Sequence, residues 1–292
     1  MFSEFKKLSA NSRKAQYRGM WLYMEDKVSV LMGAYNCENT LEQAVQAICK
    51  QTYTNIEFII CDDCSTDQTF QKAKELQRLD NRILLLRNDT NLGLGKTLNR
   101  CLKAATGAFV ARMDADDDCV PERIQLQVEY LKNHPEFEIV SSAMSFFDED
   151  GEWGRNQVVE NPSLEQVVTD SPICHAPVMM WKRCLDSVGG YSEKTSTIRV
   201  EDVDLWIRLY EYGYICHNLN KPLYKMRNDR NAFRRRKFIY RVNSTKVRIK
   251  ACYRLGLGAR CWAMSFIPMI IGLIPSSIRR AYRKSINQKN QI

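Results

Sequence analysis

Apolar and polar positions alternate in blocks along the first part of the chain. Residues 28–36 (VSVLMGAYN) form an apolar run with the look of a buried strand. The next stretch, 39–51 (NTLEQAVQAICKQ), carries Leu41, Ala44, Val45 and Ile48 at helical spacing. A second apolar run, 56–61 (IEFIIC), ends in Asp62-Asp63. A helix is expected from about Asp67 to Arg78, a short strand at 83–86, a helix over 93–105 and a strand at 108–113. Strand and helix alternating at about 25-residue spacing predict an α/β fold with a mostly parallel sheet covered by helices. Ligands of such sheets bind at the carboxyl ends of the strands, where the strand order reverses. Asn36, Asp62-Asp63 and Asp114-Asp116 all fall at those ends.

The regularity loosens beyond residue 120. A helix is expected from near Pro121, a strand at 137–147, and a turn at 148–151 leading to another strand. His175 lies in a Pro-flanked segment (SPICHAP) before an apolar run at 178–181. Gly189-Gly190-Tyr191 marks a tight turn, and 201–212 (EDVDLWIRLYEY) a helix carrying Val203, Trp206, Ile207 and Tyr210. The tail reads as a basic helix over about 231–255, then an uncharged run at 261–278, then Arg279-Arg280. Eighteen uncharged residues are the lower limit for crossing a bilayer, and Pro268, Gly272 and Pro275 disfavour a straight span. A segment lying in a membrane interface is the better expectation.

Charge sharpens this division. The chain of 292 residues carries a net +9. From Lys225 onward there are 18 Lys and Arg against one acid, Asp229, whereas residues 1–224 hold 25 basic and 33 acidic groups. An acidic body with a basic tail points to nucleic acid or an anionic membrane surface as a partner of the tail. The apolar run favours the membrane, because a nucleic-acid arm does not need one. Eleven cysteines, an odd and scattered set without a signal peptide, read as reduced cytosolic thiols. Cys61 and Cys64 form a C-x-x-C, but no second pair or nearby histidine completes a zinc site.

The chemistry concentrates in acids. Arg112-Met113-Asp114-Ala115-Asp116-Asp117-Asp118 places four carboxylates in five positions directly after an apolar run. Such crowding calls for a compensating cation, and Asp-x-Asp at a strand end suits Mg²⁺ or Mn²⁺ carrying a diphosphate. A solvated turn capping the next helix is the plain alternative, with Asp117 or Asp118 at the cap. Asp62, after its own strand, is placed to accept from a nucleobase imide or a ribose hydroxyl, with Asp63 beside it. Ser65, Thr66 and Asp67 suit helix capping. Asn91-Leu92-Gly93-Leu94-Gly95-Lys96-Thr97 lacks the first glycine of a Walker A loop, which is Thr90 here, so it reads as a glycine turn into a helix with Lys96 able to help neutralise a diphosphate. Glu201-Asp202 opens a helix, where a carboxylate either caps or acts as a base toward an alcohol.

The ordered set VSVLMGAYN, DDCSTDQT, NLGLGKTLN, RMDADDDCVPERIQLQVEYL, HAPVMMWKR, GGYSE and VEDVDLWIRL resembles family 2 glycosyltransferases of the GT-A fold over roughly residues 27–215. The resemblance implies a GT-A catalytic body at 27–224, with a nucleotide-sugar half at 27–120 and an acceptor half at 121–224. A lead-in at 1–26 and a membrane-associating tail at 225–292 would flank it. It further implies inverting transfer of a sugar from a nucleotide-sugar to an acceptor hydroxyl, saccharide or lipid-linked, at the cytoplasmic face of a membrane and without nucleic acid. Ala34, Tyr35 and Asn36 would border the nucleotide and Asp62 would contact the base. Asp114 and Asp116 would hold the metal, Mn²⁺ or Mg²⁺, on the donor diphosphate. Asp202 would be the base, with Glu201 beside it, and His175 and Trp206 would line the acceptor side. Asp117 is expected as a supporting neighbour and Asp118 as a helix cap. Asp204-Leu205-Trp206-Ile207-Arg208 stands where processive synthases carry Q-x-x-R-W, which implies one sugar per encounter. A sugar-1-phosphate nucleotidyltransferase is the competing enzyme reading, weakened because Gly33-Ala34-Tyr35-Asn36 has a single glycine and no lysine.

Overall fold

A computed structural model describes residues 26–228 and 237–275, together with 278, 282, 285 and 286. The expected lead-in at 1–26 lies outside these residues except for Asp26, as do 229–236 and Arg279-Arg280. The elements run β1 Val28–Ala34, α1 Leu41–Cys49, β2 Ile56–Asp62, α2 Thr69–Leu79, β3 Ile83–Arg87, α3 Leu94–Ala104 and β4 Phe109–Arg112. Then come β5 Asp118–Cys119, α4 Arg123–Asn133, β6 Ile139–Asp148, β7 Gly151–Arg155, α5 Leu164–Thr169, β8 Met179–Trp181 and α6 Lys182–Ser187. The chain continues through α7 Glu201–Glu211, β9 Cys216–Arg227, α8 Phe238–Leu255, α9 Ala259–Met264 and α10 Ile267–Leu273.

The strands make one sheet in the order β3-β2-β1-β4-β8-β6-β9-β5, with β7 on β6. β3, β2, β1 and β4 are mutually parallel, and β6 pairs parallel with β9. β8, β5 and β7 pair antiparallel with their neighbours. The order reverses between β1 and β4, so the carboxyl ends of these two strands flank the crevice expected at such a switch point. Both faces of the sheet are covered. Val28, Val30 and Met32 pack toward one core with α1 and α4, while Leu31, Ile59 and Cys61 pack toward the other with α3 and α7. Burial on two faces explains why these strands read as continuous apolar runs.

Two features depart from the sequence-based expectation. Nothing in the hydropathy pattern points to β9, the longest strand, which crosses the boundary expected after residue 224. Its register with β6 shifts between Ser142 and Met144, opposite Pro222, as a proline inside a sheet demands. The basic tail is not a separate appendage over its described length. In α8, Val247, Ala251 and Cys252 are buried, and so is Arg248, whose Nη2 donates to Ser171 Oγ at 2.8 Å. The uncharged run forms two short helices, and among the described residues no helix is long and apolar enough to cross a membrane.

One turn couples the two halves of the body. Gly190 sits at φ +71°, and a Cβ there would lie 2.5 Å from Asn99 Oδ1. That oxygen accepts from Tyr191 N–H at 2.8 Å while Asn99 Nδ2 donates to Tyr191 O at 2.9 Å, fastening the turn to α3. Gly190→Ala is expected to cost about 2 kcal/mol, from the left-handed backbone and the displaced Asn99, read as a lower urea midpoint at unchanged slope.

Candidate active site

The carboxyl ends of β1 and β2 present the first group of expected residues. Ala34 is buried and its carbonyl accepts from Asp63 N–H at 2.8 Å; Tyr35 is half exposed. Asn36 takes a left-handed φ of 47°. Its N–H donates to Ser65 Oγ at 3.0 Å and its Oδ1 accepts from Thr66 N–H at 2.9 Å, latching the loop after β2. Asp62 and Asp63 have different jobs. Asp62 is fully buried, and its Oδ2 takes Ser65 N–H at 3.2 Å and Arg87 Nε at 3.1 Å, while Oδ1 has no partner. A buried, orphaned carboxylate oxygen costs free energy until a donor reaches it, so Asp62 is the acid able to take one more bond. Asp63 has both oxygens engaged: it accepts from Asn88 Nδ2 (2.7 Å), Leu92 N–H (2.8 Å) and Gly93 N–H (2.8 Å). It fixes the turn that starts α3, in whose first turn Lys96 is exposed.

The acid loop after β4 is held by groups distant in sequence. Asp114 is gripped by the Arg112 guanidinium, through Nη1 at 3.1 Å to Oδ2 and through Nη2 to Oδ1. Its N–H donates to Tyr224 Oη at 3.0 Å, and the Tyr224 hydroxyl also hydrogen-bonds Asp117. Arg227 closes the loop, its N–H donating to Asp117 Oδ1 at 2.7 Å and its Nε to Asp116 O at 3.1 Å. Burial, with Asp114 and Asp116 nearby, pushes the Asp117 carboxyl well above the usual carboxylate range. Asp118 is not a helix cap. It forms β5 with Cys119, opposite Lys225 of β9, and Glu122 occupies the N-cap of α4. α2 likewise has Gln68 at its N-cap; of the three expected caps, Asp67 accepts from the first-turn N–H of Thr69 at 3.0 Å.

The amino end of α7 brings the second carboxylate group. Glu201 is buried and Asp202 partly so, with Asp202 Oδ1 accepting from Val203 N–H at 2.8 Å. Burial raises both acids above their ordinary range, Glu201 further by the proximity of Asp202, and the Arg112 charge opposes the shift in each. His175 Nε2 lies 2.9 Å from Tyr191 Oη. Burial and the Arg112 charge keep the imidazole well below its ordinary pKa, so it is neutral. The Tyr191 hydroxyl feels the fields of Arg112, Glu201, Asp202 and Asp114 together. A Cβ on Gly95 of α3 would lie 3.7 Å from Tyr191 Cβ and 3.8 Å from Glu201 Cβ, so the Tyr191 turn and the start of α7 meet beside α3.

Trp206 does not line the acceptor side. Its side chain is fully buried in the core and meets His175 edge-on at 5.8 Å between ring centroids, so it backs that histidine. Tyr191, Tyr224 and Arg227, and the countercharge role of Arg112, escaped the sequence reading. Arg112 alone had a visible signal, as the one cation adjoining four acids. Among the described residues no group of three or more His, Cys, Asp or Glu side chains could hold a metal. Asp114 and Asp116 are both partly exposed, so their carboxylates are the ones that could serve as oxygen ligands of a hard divalent ion.

Comparison with known proteins addresses the family and the fold. A model of Glycosyl transferase family 2 matches residues 29–184. EpsE of Bacillus subtilis, which carries a glycosyltransferase name, is 39% identical over 266 residues, 90% of this chain and 96% of its own. WfaP of Escherichia coli, named as a UDP-Glc:alpha-D-GlcNAc-diphosphoundecaprenol beta-1,3-glucosyltransferase, is 30% identical over 66% of this chain and 74% of its own. The fold matches that of the mannosyltransferase PcManGT from Pyrobaculum calidifontis, solved with GDP-Man and Mn²⁺. That match has a TM-score of 0.57 at 16% identity and covers 96% of this chain and 90% of that one.

Tyr224→Phe leaves the partly buried Asp114 N–H without its acceptor and the buried Asp117 without its hydroxyl donor. The variant is expected to lose about 1–3 kcal/mol in urea unfolding, a loss that shrinks in an Asp117→Asn background to the extent that it runs through the Tyr224–Asp117 bond and stays unchanged there if the two act independently.

Proposed function

The chain belongs to glycosyl transferase family 2, and from that premise we propose that it is an inverting transferase that moves a sugar from a nucleotide-diphosphate sugar to an acceptor hydroxyl. Its place would be surface polysaccharide, lipopolysaccharide or glycolipid assembly. The observation that carries this reading is the meeting of Asp114 with Glu201 and Asp202 around Tyr191 and Arg112. Ala34, Tyr35 and Asn36 border the nucleotide in this proposal, and Asp62 takes the base through its free Oδ1. Asp63 acts by fixing the loop that presents Lys96 to the diphosphate. Asp114 and Asp116 hold Mn²⁺ or Mg²⁺, which when bound neutralises the charge of the diphosphate leaving group. Asp202 accepts the proton of the attacking hydroxyl, since burial makes its carboxylate more basic than a solvated one. His175 and Glu201 border the acceptor, which must approach opposite the leaving group.

A lipid-linked acceptor follows by analogy with the name of WfaP, and peripheral attachment to the cytoplasmic face of a membrane belongs to the same proposal. Its support is the surface of α10. None of its residues is buried, Ile270 is 59% exposed and Leu273 77%, and exposed Phe238 of α8 adjoins it at Gly272. Gly272 allows this close packing, because a Cβ there would lie 2.6 Å from Arg241 Cδ. Lys237, Arg241 and Arg260 supply positive charge and the 237–275 stretch contains no acid, which suits an anionic bilayer surface.

Release of nucleoside diphosphate from a panel of sugar nucleotides tests the activity. Asp202→Asn is expected to lower turnover by about 10²- to 10⁴-fold with donor binding retained, and undiminished turnover in that variant would overturn the reading. Ile270→Glu with Leu273→Glu alters exposed positions only. The expected result is loss of co-sedimentation with vesicles containing phosphatidylglycerol, with nucleotide release intact; binding equal to wild type would remove the membrane surface from the proposal.

A further inference from the structure

We propose that Arg112 is a positioning residue of the transfer site, the fixed countercharge that orients Asp114 toward the metal-diphosphate and joins the donor end of the site to its base end. This rests on the family reading above and on the placement of one guanidinium. The Arg112 backbone is clamped on both sides: its N–H donates to Val178 O at 3.0 Å and its carbonyl accepts from Arg123 Nη2 at 2.6 Å. Its side chain is 5% exposed, against 29% for Asp114, so the cation lies beneath the acid and leaves the outer side of the carboxylate open. Both Nη atoms engage Asp114, one on each oxygen. A carboxylate offers about four lone-pair sites, so this fork occupies one per oxygen and presents the others outward in a fixed plane.

Two further observations separate this arrangement from an ordinary ion pair. The Arg112 Nε is buried without a partner, a cost that packing alone gives no reason to bear. The same charge also reaches Glu201, Asp202 and His175, on elements that share no hydrogen bond with Asp114 in the described site. One immobile cation therefore stands behind the ligand of the leaving group and near the base.

Lysine would keep the charge at position 112 and lose the fork, which makes Arg112→Lys the informative variant. The measurement is calorimetric affinity of the full chain for Mn²⁺ with UDP, or with GDP where UDP does not bind, alongside KM and kcat for the donor. Arg112→Lys is expected to weaken Mn²⁺-nucleotide binding about 10- to 100-fold, as loss of a partner behind a metal-ligating carboxylate does, while its urea midpoint stays near wild type. Asp114→Asn and the double variant complete a cycle. Coupling between positions 112 and 114 in binding supports the proposal, and additive effects overturn it. Wild-type affinity and KM in Arg112→Lys overturn it as well. Should Arg112→Lys unfold, Arg112→Gln enters the same cycle. Asp116→Ala in parallel tests the underlying reading: if that variant also binds and turns over normally, the metal site is wrong; if it alone fails, only the role of Arg112 is wrong.

Discussion

Four carboxylates within five residues repel one another, and this fold survives that repulsion by drawing donors and cations from far along the chain. Arg112 grips Asp114 from below, Tyr224 takes the Asp114 amide and bonds Asp117, and Arg227 closes over Asp116 and Asp117. Two of the three come from β9, about 110 residues downstream of the acids. The sheet must therefore be complete before the acid loop has its shape. Its geometry is a property of the whole α/β body, not of the local motif.

The Glu201-Asp202 pair depends on the sheet in a different way. α7 enters with Glu201 and Asp202 beside the first turn of α3, where a Cβ on Gly95 would lie 3.8 Å from Glu201 Cβ. α3 in turn is fixed at its start by Asp63 and fastened through Asn99 to the Tyr191 turn. One helix thus touches the Asp63 loop, the Gly190-Tyr191 turn and the Glu201-Asp202 pair. Displacement of any one is transmitted as a rigid shift to the others, because packed helices move as units.

Much of this was legible before any coordinates. β1, β2 and β4 are buried on both faces and carry no interruption, so their boundaries and the acids that end them could be read directly. β9 could not. Its sequence CHNLNKPLYKMR mixes Asn, Lys and Pro with apolar residues, and its pairing slips twice along β6. Trp206 shows the opposite failure. Its spacing with Val203, Ile207 and Tyr210 already marked the core face of a helix, but a large aromatic near an acid pair is tempting to assign to ligand. Arg248 illustrates the limit of charge counting: it belongs to the basic tail in sequence and to the buried interior in space.

The continuity of β9 with the tail sets a length scale. Arg227, bonded to the acid loop, and Phe238, beside α10, are eleven residues apart in sequence. A fully stretched backbone of that length reaches at most about 40 Å. The acid rim therefore cannot lie farther than that from Phe238, and anything seated on the surface that Phe238 shares with α10 is held within a comparable reach of Asp114 and Asp116.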